Sequence, residues 1–131
     1  MVNIVIVSHG NFGDALIQAI EMITGPTECL FSVPLLPGER PEDFGEKLAE
    51  ALQEIEGEDT LVLIDLMGGT PYNVAARQVL KGYVECVTGV NLPMLLELVM
   101  SRDDASLPEL AEAITQAGRE AIKNLGPMLS K

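Results

Sequence analysis

The chain has one histidine, His9, and its setting suits a nucleophile. Imidazole can attack near neutral pH because its unperturbed pKa is about 6.5. His9 stands in Ser8-His9-Gly10-Asn11, between an apolar run and a helical repeat. Gly10 lets the backbone turn sharply there. Backbone N–H groups at the helix start would favour an anion beside the ring, by roughly 0.3–1 kcal/mol and up to about 2 in a sheltered site. A phosphorylated imidazole would gain directly. A lone histidine also fits plain surface placement, but the strand-to-helix junction favours chemistry.

Asp65 closes the run Leu61-Val62-Leu63-Ile64. A carboxylate taken from water without a partner costs several kcal/mol, so Asp65 must reach solvent or find a donor. If the first and third strands are neighbours, His9 is the natural donor. A bond to one ring nitrogen fixes the tautomer and leaves the other nitrogen free to attack. The alternative is an Asp65 that only caps the following turn. Thr70 follows Gly68 and Gly69 and precedes Pro71, so it is the candidate N-cap, with Pro71 as the first helical residue. The same hydroxyl and the free N–H groups beside two glycines also form a candidate anion cradle. Both roles can hold at once.

Other chemistries find little support. There is no G-x-G-x-x-G and no G-x-x-x-x-G-K-[ST], so no nucleotide cofactor is expected. One histidine and two distant cysteines, Cys29 and Cys86, are too few to hold a metal. The cysteines sit in apolar runs and read as buried, reduced thiols. A strand followed by Ser-His-Gly also occurs in histidine phosphatases and small chelatases. The former carry Arg before the histidine, where this chain has Ser8, and the latter use a second histidine.

The elements that must position these residues alternate in period. Val2–Val7 is a β-branched run suited to a strand buried on both faces. Phe12, Leu16, Ile20 and Ile23 recur at helical spacing, and Thr24-Gly25-Pro26 ends that helix. Cys29–Leu36 reads as a strand broken by Pro34 and closed by Pro37-Gly38. Pro41 opens a helix with Phe44, Leu48, Leu52 and Ile55 on one face. Thr60–Leu66 is a third strand, Thr70 to Gly82 spans a helix, and Tyr83–Thr88 is a fourth strand. Gly89–Pro93 reads as a loop and Met94–Met100 as helix, and Pro108 opens a last helix with Leu110, Ile114 and Ala117 inward. Arg119–Leu125 reads either as more helix or as an edge strand. This alternation argues for one α/β domain over residues 1–131, with a central, mainly parallel four-stranded sheet covered by helices on both faces. Three polar clusters, at His9, at Asp65–Thr70 and at Gly89-Val90-Asn91, then fall at the carboxyl ends of strands, where such sheets bind ligands.

At the scale of the chain, 131 residues with 47% hydrophobic content can bury a core unaided. The net charge of −12 disfavours nucleic acid and anionic membrane as partners. It serves solubility or offers a face to a basic partner. No signal peptide or membrane-spanning run is present in the sequence, which points to the cytoplasm.

Taken together, the motifs resemble a known family. Ile4-Val5-Ile6-Val7-Ser8-His9-Gly10, Leu36-Pro37-Gly38-Glu39, Asp65 with Gly68-Gly69-Thr70-Pro71-Tyr72-Asn73-Val74-Ala75, and Gly89-Val90-Asn91-Leu92-Pro93-Met94-Leu95-Leu96-Glu97 occur in order along nearly the whole chain. In this the chain resembles the enzyme IIA component of the mannose family of the bacterial phosphoenolpyruvate-dependent sugar phosphotransferase system. The resemblance implies that His9 is phosphorylated, that Asp65 is its hydrogen-bonding partner and that Thr70 is the hydroxyl beside the phosphoryl group, in a cradle with Gly10, Gly68 and Gly69. It implies a donor, the carrier protein HPr, and an acceptor, a IIB component, with sugar choice residing in membrane subunits. It also implies a homodimer that exchanges a fifth, antiparallel C-terminal strand, which would suit Arg119–Leu125. Met67 stands where some relatives carry Trp, so the rim of the site differs. The chain ends at Lys131 without a IIB domain, so IIB is expected as a separate subunit. The rival readings are a phosphocarrier for a dihydroxyacetone kinase and a non-catalytic regulatory binding module.

Overall fold

A computed structural model describes residues 1–130 as a single α/β domain. The strands are β1 (Asn3–His9), β2 (Leu30–Leu35), β3 (Thr60–Ile64) and β4 (Val84–Thr88). The helices are α1 (Phe12–Thr24), α2 (Pro41–Gln53), α3 (Thr70–Ala75), α4 (Leu92–Ser101), α5 (Leu107–Glu120) and α6 (Leu125–Leu129), with a 3-10 segment, Ala76–Lys81, continuing α3. The sheet order is β2-β1-β3-β4 and every pairing is parallel. β1 therefore lies between β2 and β3, and the neighbour relation that Asp65 required is present.

Side chains alternate across each strand. Ile4, Ile6, Leu61 and Leu63 face one layer and pack with Ile20 of α1, Leu95 and Leu98 of α4, and Leu110 and Ile114 of α5. Val5, Val7, Val62 and Ile64 face the other and pack with Phe44, Leu48 and Leu52 of α2 and Ala75 of α3. The same alternation sends Ser8 toward α1 and His9 toward α2 and α3.

Several expectations shift. Phe12 and Ile23 are exposed, and the inward stripe of α1 is Leu16, Ile17 and Ile20. Thr70 is not the N-cap of α3: Gly69 occupies that position with φ +87°, and no side chain among the described residues caps the helix. Only glycine adopts that backbone readily, so the helix starts one residue earlier than Thr-Pro suggests. α4 starts at Leu92, because Asn91 Oδ1 accepts the Met94 N–H at 3.0 Å. Both cysteines are free and only partly buried. Arg119–Glu120 end α5 and Leu125–Leu129 form α6, so no fifth strand occurs among the described residues. No helix among them is long and apolar enough to cross a membrane.

At the amino ends of the strands, the buried Arg102 closes the fold. Its guanidinium donates to Val2 O (3.2 Å from Nε), Glu28 O (2.8 Å) and Cys29 O (3.0 Å), tying the end of α4 to β1 and β2.

Candidate functional site

The site is built where β1 and β3 end. β1 runs to His9, while β3 stops at Ile64 and leaves Asp65 as the next residue. Asp65 N–H donates to Val7 O at 3.3 Å, which holds the acid beside the end of β1. Its Oδ2 then accepts two bonds from one residue, His9 N–H at 2.9 Å and His9 Nδ1 at 2.8 Å. An ionised carboxylate only accepts, so this contact places the ring hydrogen on Nδ1. The lone pair of the neutral ring is then on Nε2.

Exposure divides the pair. The His9 side chain is 50% exposed and that of Asp65 is 14%. The second oxygen, Asp65 Oδ1, is buried and has no hydrogen-bond partner among the described residues. Among the described residues the carboxylate side chain therefore bonds only to His9, whose ring is half-exposed.

Gly69 borders Nε2 of that ring. A Cβ built on it would stand 3.8 Å from His9 Cε1 and 3.9 Å from Nε2. A side chain at position 69 would therefore begin in van der Waals contact with that edge of the ring. Gly68 precedes it with φ +91°, and Thr70 follows it, half-buried, as the first residue of α3. Gly10 continues the chain from His9 with φ +54°, and its N–H donates to Leu35 O at 2.8 Å. The structure therefore joins His9 and Asp65 by hydrogen bonds, places Gly69 near the ring, and sets Gly10, Gly68 and Thr70 beside them along the chain.

The third polar cluster has a different role. Asn91 caps α4, and its Nδ2 donates to Gly118 O of α5 at 3.2 Å. Both ends of that amide hold helices, so it is structural. Ser8 was legible only as part of the histidine motif. Its buried Oγ accepts the Gly13 N–H at 3.1 Å and substitutes for a side-chain cap on α1, which Asn11 does not provide. Phe12, Leu36, Leu66 and Met67 are exposed apolar residues on the segments that follow β1, β2 and β3. They therefore lie at the same end of the sheet as His9 and Asp65.

A sequence model of the family described as PTS system fructose IIA component matches residues 3–115. The chain belongs to this mannose-type EIIA family. It is 34% identical over its full length to the PTS system fructose-specific EIIA component of Bacillus subtilis, covering 91% of that protein. It is 38% identical over 93% of its length to the PTS system mannose-specific EIIAB component of Escherichia coli. There it spans 39% of the relative's length. The mannose/sorbose-specific IIA subunit from Enterococcus faecalis has the same fold, with a TM-score of 0.88 at 31% identity over 94% of this chain and 93% of that one.

Proposed function

We propose that this EIIA chain is a cytoplasmic phosphocarrier, a phosphotransferase that takes a phosphoryl group from HPr onto His9 and passes it to a IIB component during sugar uptake. One observation carries the reading: Nδ1 of a half-exposed ring is bound to Asp65 while Nε2 is free and bordered by a residue without a side chain.

The step follows from that geometry. Nε2 donates its lone pair to phosphorus as the bond to the donor breaks on the opposite side. The ring gains positive charge, and the Nδ1–H bond to the Asp65 carboxylate becomes charge-assisted. In the second half, the acceptor's nucleophile attacks phosphorus and the electron pair of the P–Nε2 bond returns to the ring. Phosphoryl transfer of this kind depends on positioning and charge stabilisation more than on proton movement. Family resemblance supports Gly10, Gly68, Gly69 and Thr70 as the groups beside the phosphoryl oxygens.

Incubation with phosphoenolpyruvate, the first enzyme of the system and HPr should add one phosphoryl mass to the protein. His9→Ala should remain folded and take up none, and undiminished labelling of that variant would end the proposal. Asp65→Asn tests the tautomer. Its amide either turns NH2 toward Nδ1, which forces the ring hydrogen onto Nε2, or buries that NH2 at the Oδ1 position without an acceptor. A drop in transfer rate of about 100-fold is expected, and a wild-type rate would remove Asp65 from the mechanism.

The homodimer reading is supported at β4, which among the described residues pairs only with β3 and leaves one edge open. A groove of about 430 Å³ runs beside it, lined by Cys86, Thr88 and Thr115 among others. Ile122, Leu125, Met128 and Leu129 are exposed apolar residues in the segment that follows α5. Exchange of that segment would cover both. Sedimentation analysis should give a dimer, and a chain truncated after Glu120 should give a monomer. A full-length monomer would overturn the exchange.

A further inference from the structure

The Leu36-Pro37-Gly38-Glu39 motif has a geometry that the transfer step does not explain. Glu39 folds back over its own turn. Its N–H donates to Leu36 O at 3.0 Å, and its Oε1 accepts the Leu36 N–H at 3.0 Å. The same oxygen accepts the Lys47 ammonium at 3.0 Å. Lys47 reaches over from α2, donates also to Pro34 O near the end of β2, and lies 5.6 Å from the ring centroid of the buried Phe44. The two side chains are 17% and 34% exposed, so this is not a freely solvated pair. Exposed ion pairs add little to a fold. This one is distinguished by its two backbone partners.

Those partners lead to His9. β2 is the neighbour of β1, with Pro34 aligned to Ser8 and Leu35 to His9. Leu36 N–H and Leu35 C=O belong to one peptide plane. Glu39 holds the N–H side of that plane, and its carbonyl accepts the Gly10 N–H at 2.8 Å. Gly10, at φ +54°, is the turn residue directly after His9. Hydrogen bonds in series polarise and orient one another. The turn at the reactive ring is therefore held from β3 by Asp65 and from β2 by a carboxylate acting through one peptide group.

We propose that Glu39 and Lys47 are positioning residues for phosphoryl transfer at His9, acting through the Leu35–Leu36 peptide on Gly10. The proposal rests on the phosphocarrier reading above. Two measurements on the full chain test it: the amide proton shift and exchange rate of Gly10 by NMR, and kcat and KM for transfer from phosphorylated HPr. Glu39→Ala should shift the Gly10 amide and speed its exchange while leaving the distant Gly118 amide unchanged. It should lower kcat about tenfold with KM held within about twofold, because a misplaced ring slows the step without altering docking. Glu39→Gln keeps an acceptor for the Leu36 N–H and should restore most of the rate. Lys47→Met should move both readouts in the same direction as Glu39→Ala, and the double variant should be no slower than the slower single one. An unmoved Gly10 amide, a wild-type kcat, a loss confined to KM, or a Glu39→Gln as slow as Glu39→Ala would each overturn the proposal. Should Glu39→Ala fail to fold, Glu39→Gln and Lys47→Met carry the test. A wild-type protein that HPr cannot label refutes the carrier reading instead, and the Gly10 amide then decides alone whether the clamp acts on the turn.

Discussion

Gly69 carries two constraints at once. Its backbone, at φ +87° and ψ 177°, lies in a region reserved for glycine, and its missing side chain keeps Nε2 of His9 open. Gly69→Ala should cost about 1–3 kcal/mol of stability from backbone strain, read by urea denaturation, and should also slow transfer. A variant as stable and fast as wild type would show that neither constraint matters. Cys86 gives a second residue-level prediction. Burial, with a smaller contribution from the Glu85 carboxylate, pushes its thiol up to about 11. Its Sγ donates to Ala75 O at 3.5 Å. A thiol whose ionisation the fold suppresses contributes stability below the usual thiol value of about 8.5, and that contribution is lost as pH rises. The loss should be complete once pH passes about 11. Cys86→Ala should flatten this alkaline limb in thermal melts taken at stepped pH, and wild-type Cys86 should resist alkylation near neutral pH.

Among the elements, what sequence could and could not reveal follows from where each partner lies. β1 was legible because a β-branched run without polar alternation has few other fates, and the His9–Asp65 pair because a carboxylate closing a buried strand needs a donor. The Thr70 cap was misplaced by one residue, since the left-handed capacity of Gly69 outweighs a threonine hydroxyl. The 3-10 continuation of α3 over Ala76–Lys81 left no mark in the periodicity. Arg102 was invisible because its acceptors are backbone carbonyls 73 to 100 residues away, which no side-chain pattern records. Arg102→Met should cost about 2–4 kcal/mol by leaving buried carbonyls without donors. Because it sits at the pole opposite His9, the folded fraction should transfer phosphate at the wild-type rate, which single-turnover assays at low temperature would check. Asn91→Ala, which removes the α4 cap and the tie to α5, should cost about 1–2 kcal/mol.

The molecule as a whole carries a net charge of −12, and exposed apolar residues follow the carboxyl ends of its strands. An acidic body steers a basic partner and does so less as salt rises. On the proposed carrier reading, association with a phosphoryl donor that docks through a basic face should slow about tenfold between about 0.02 and 0.5 M salt, with the transfer step itself unaffected; stopped-flow measurement separates the two, and a salt-independent association rate would exclude such steering. The strand order has a consequence in time as well as space. β1 is made first yet sits between β2 and β3, and its histidine meets an acid 56 residues further on. A nascent chain still on the ribosome therefore exposes an imidazole with no carboxylate to orient it until the third strand has emerged and docked. The paired ring and acid therefore come into being only when β1 and β3 have joined in the sheet.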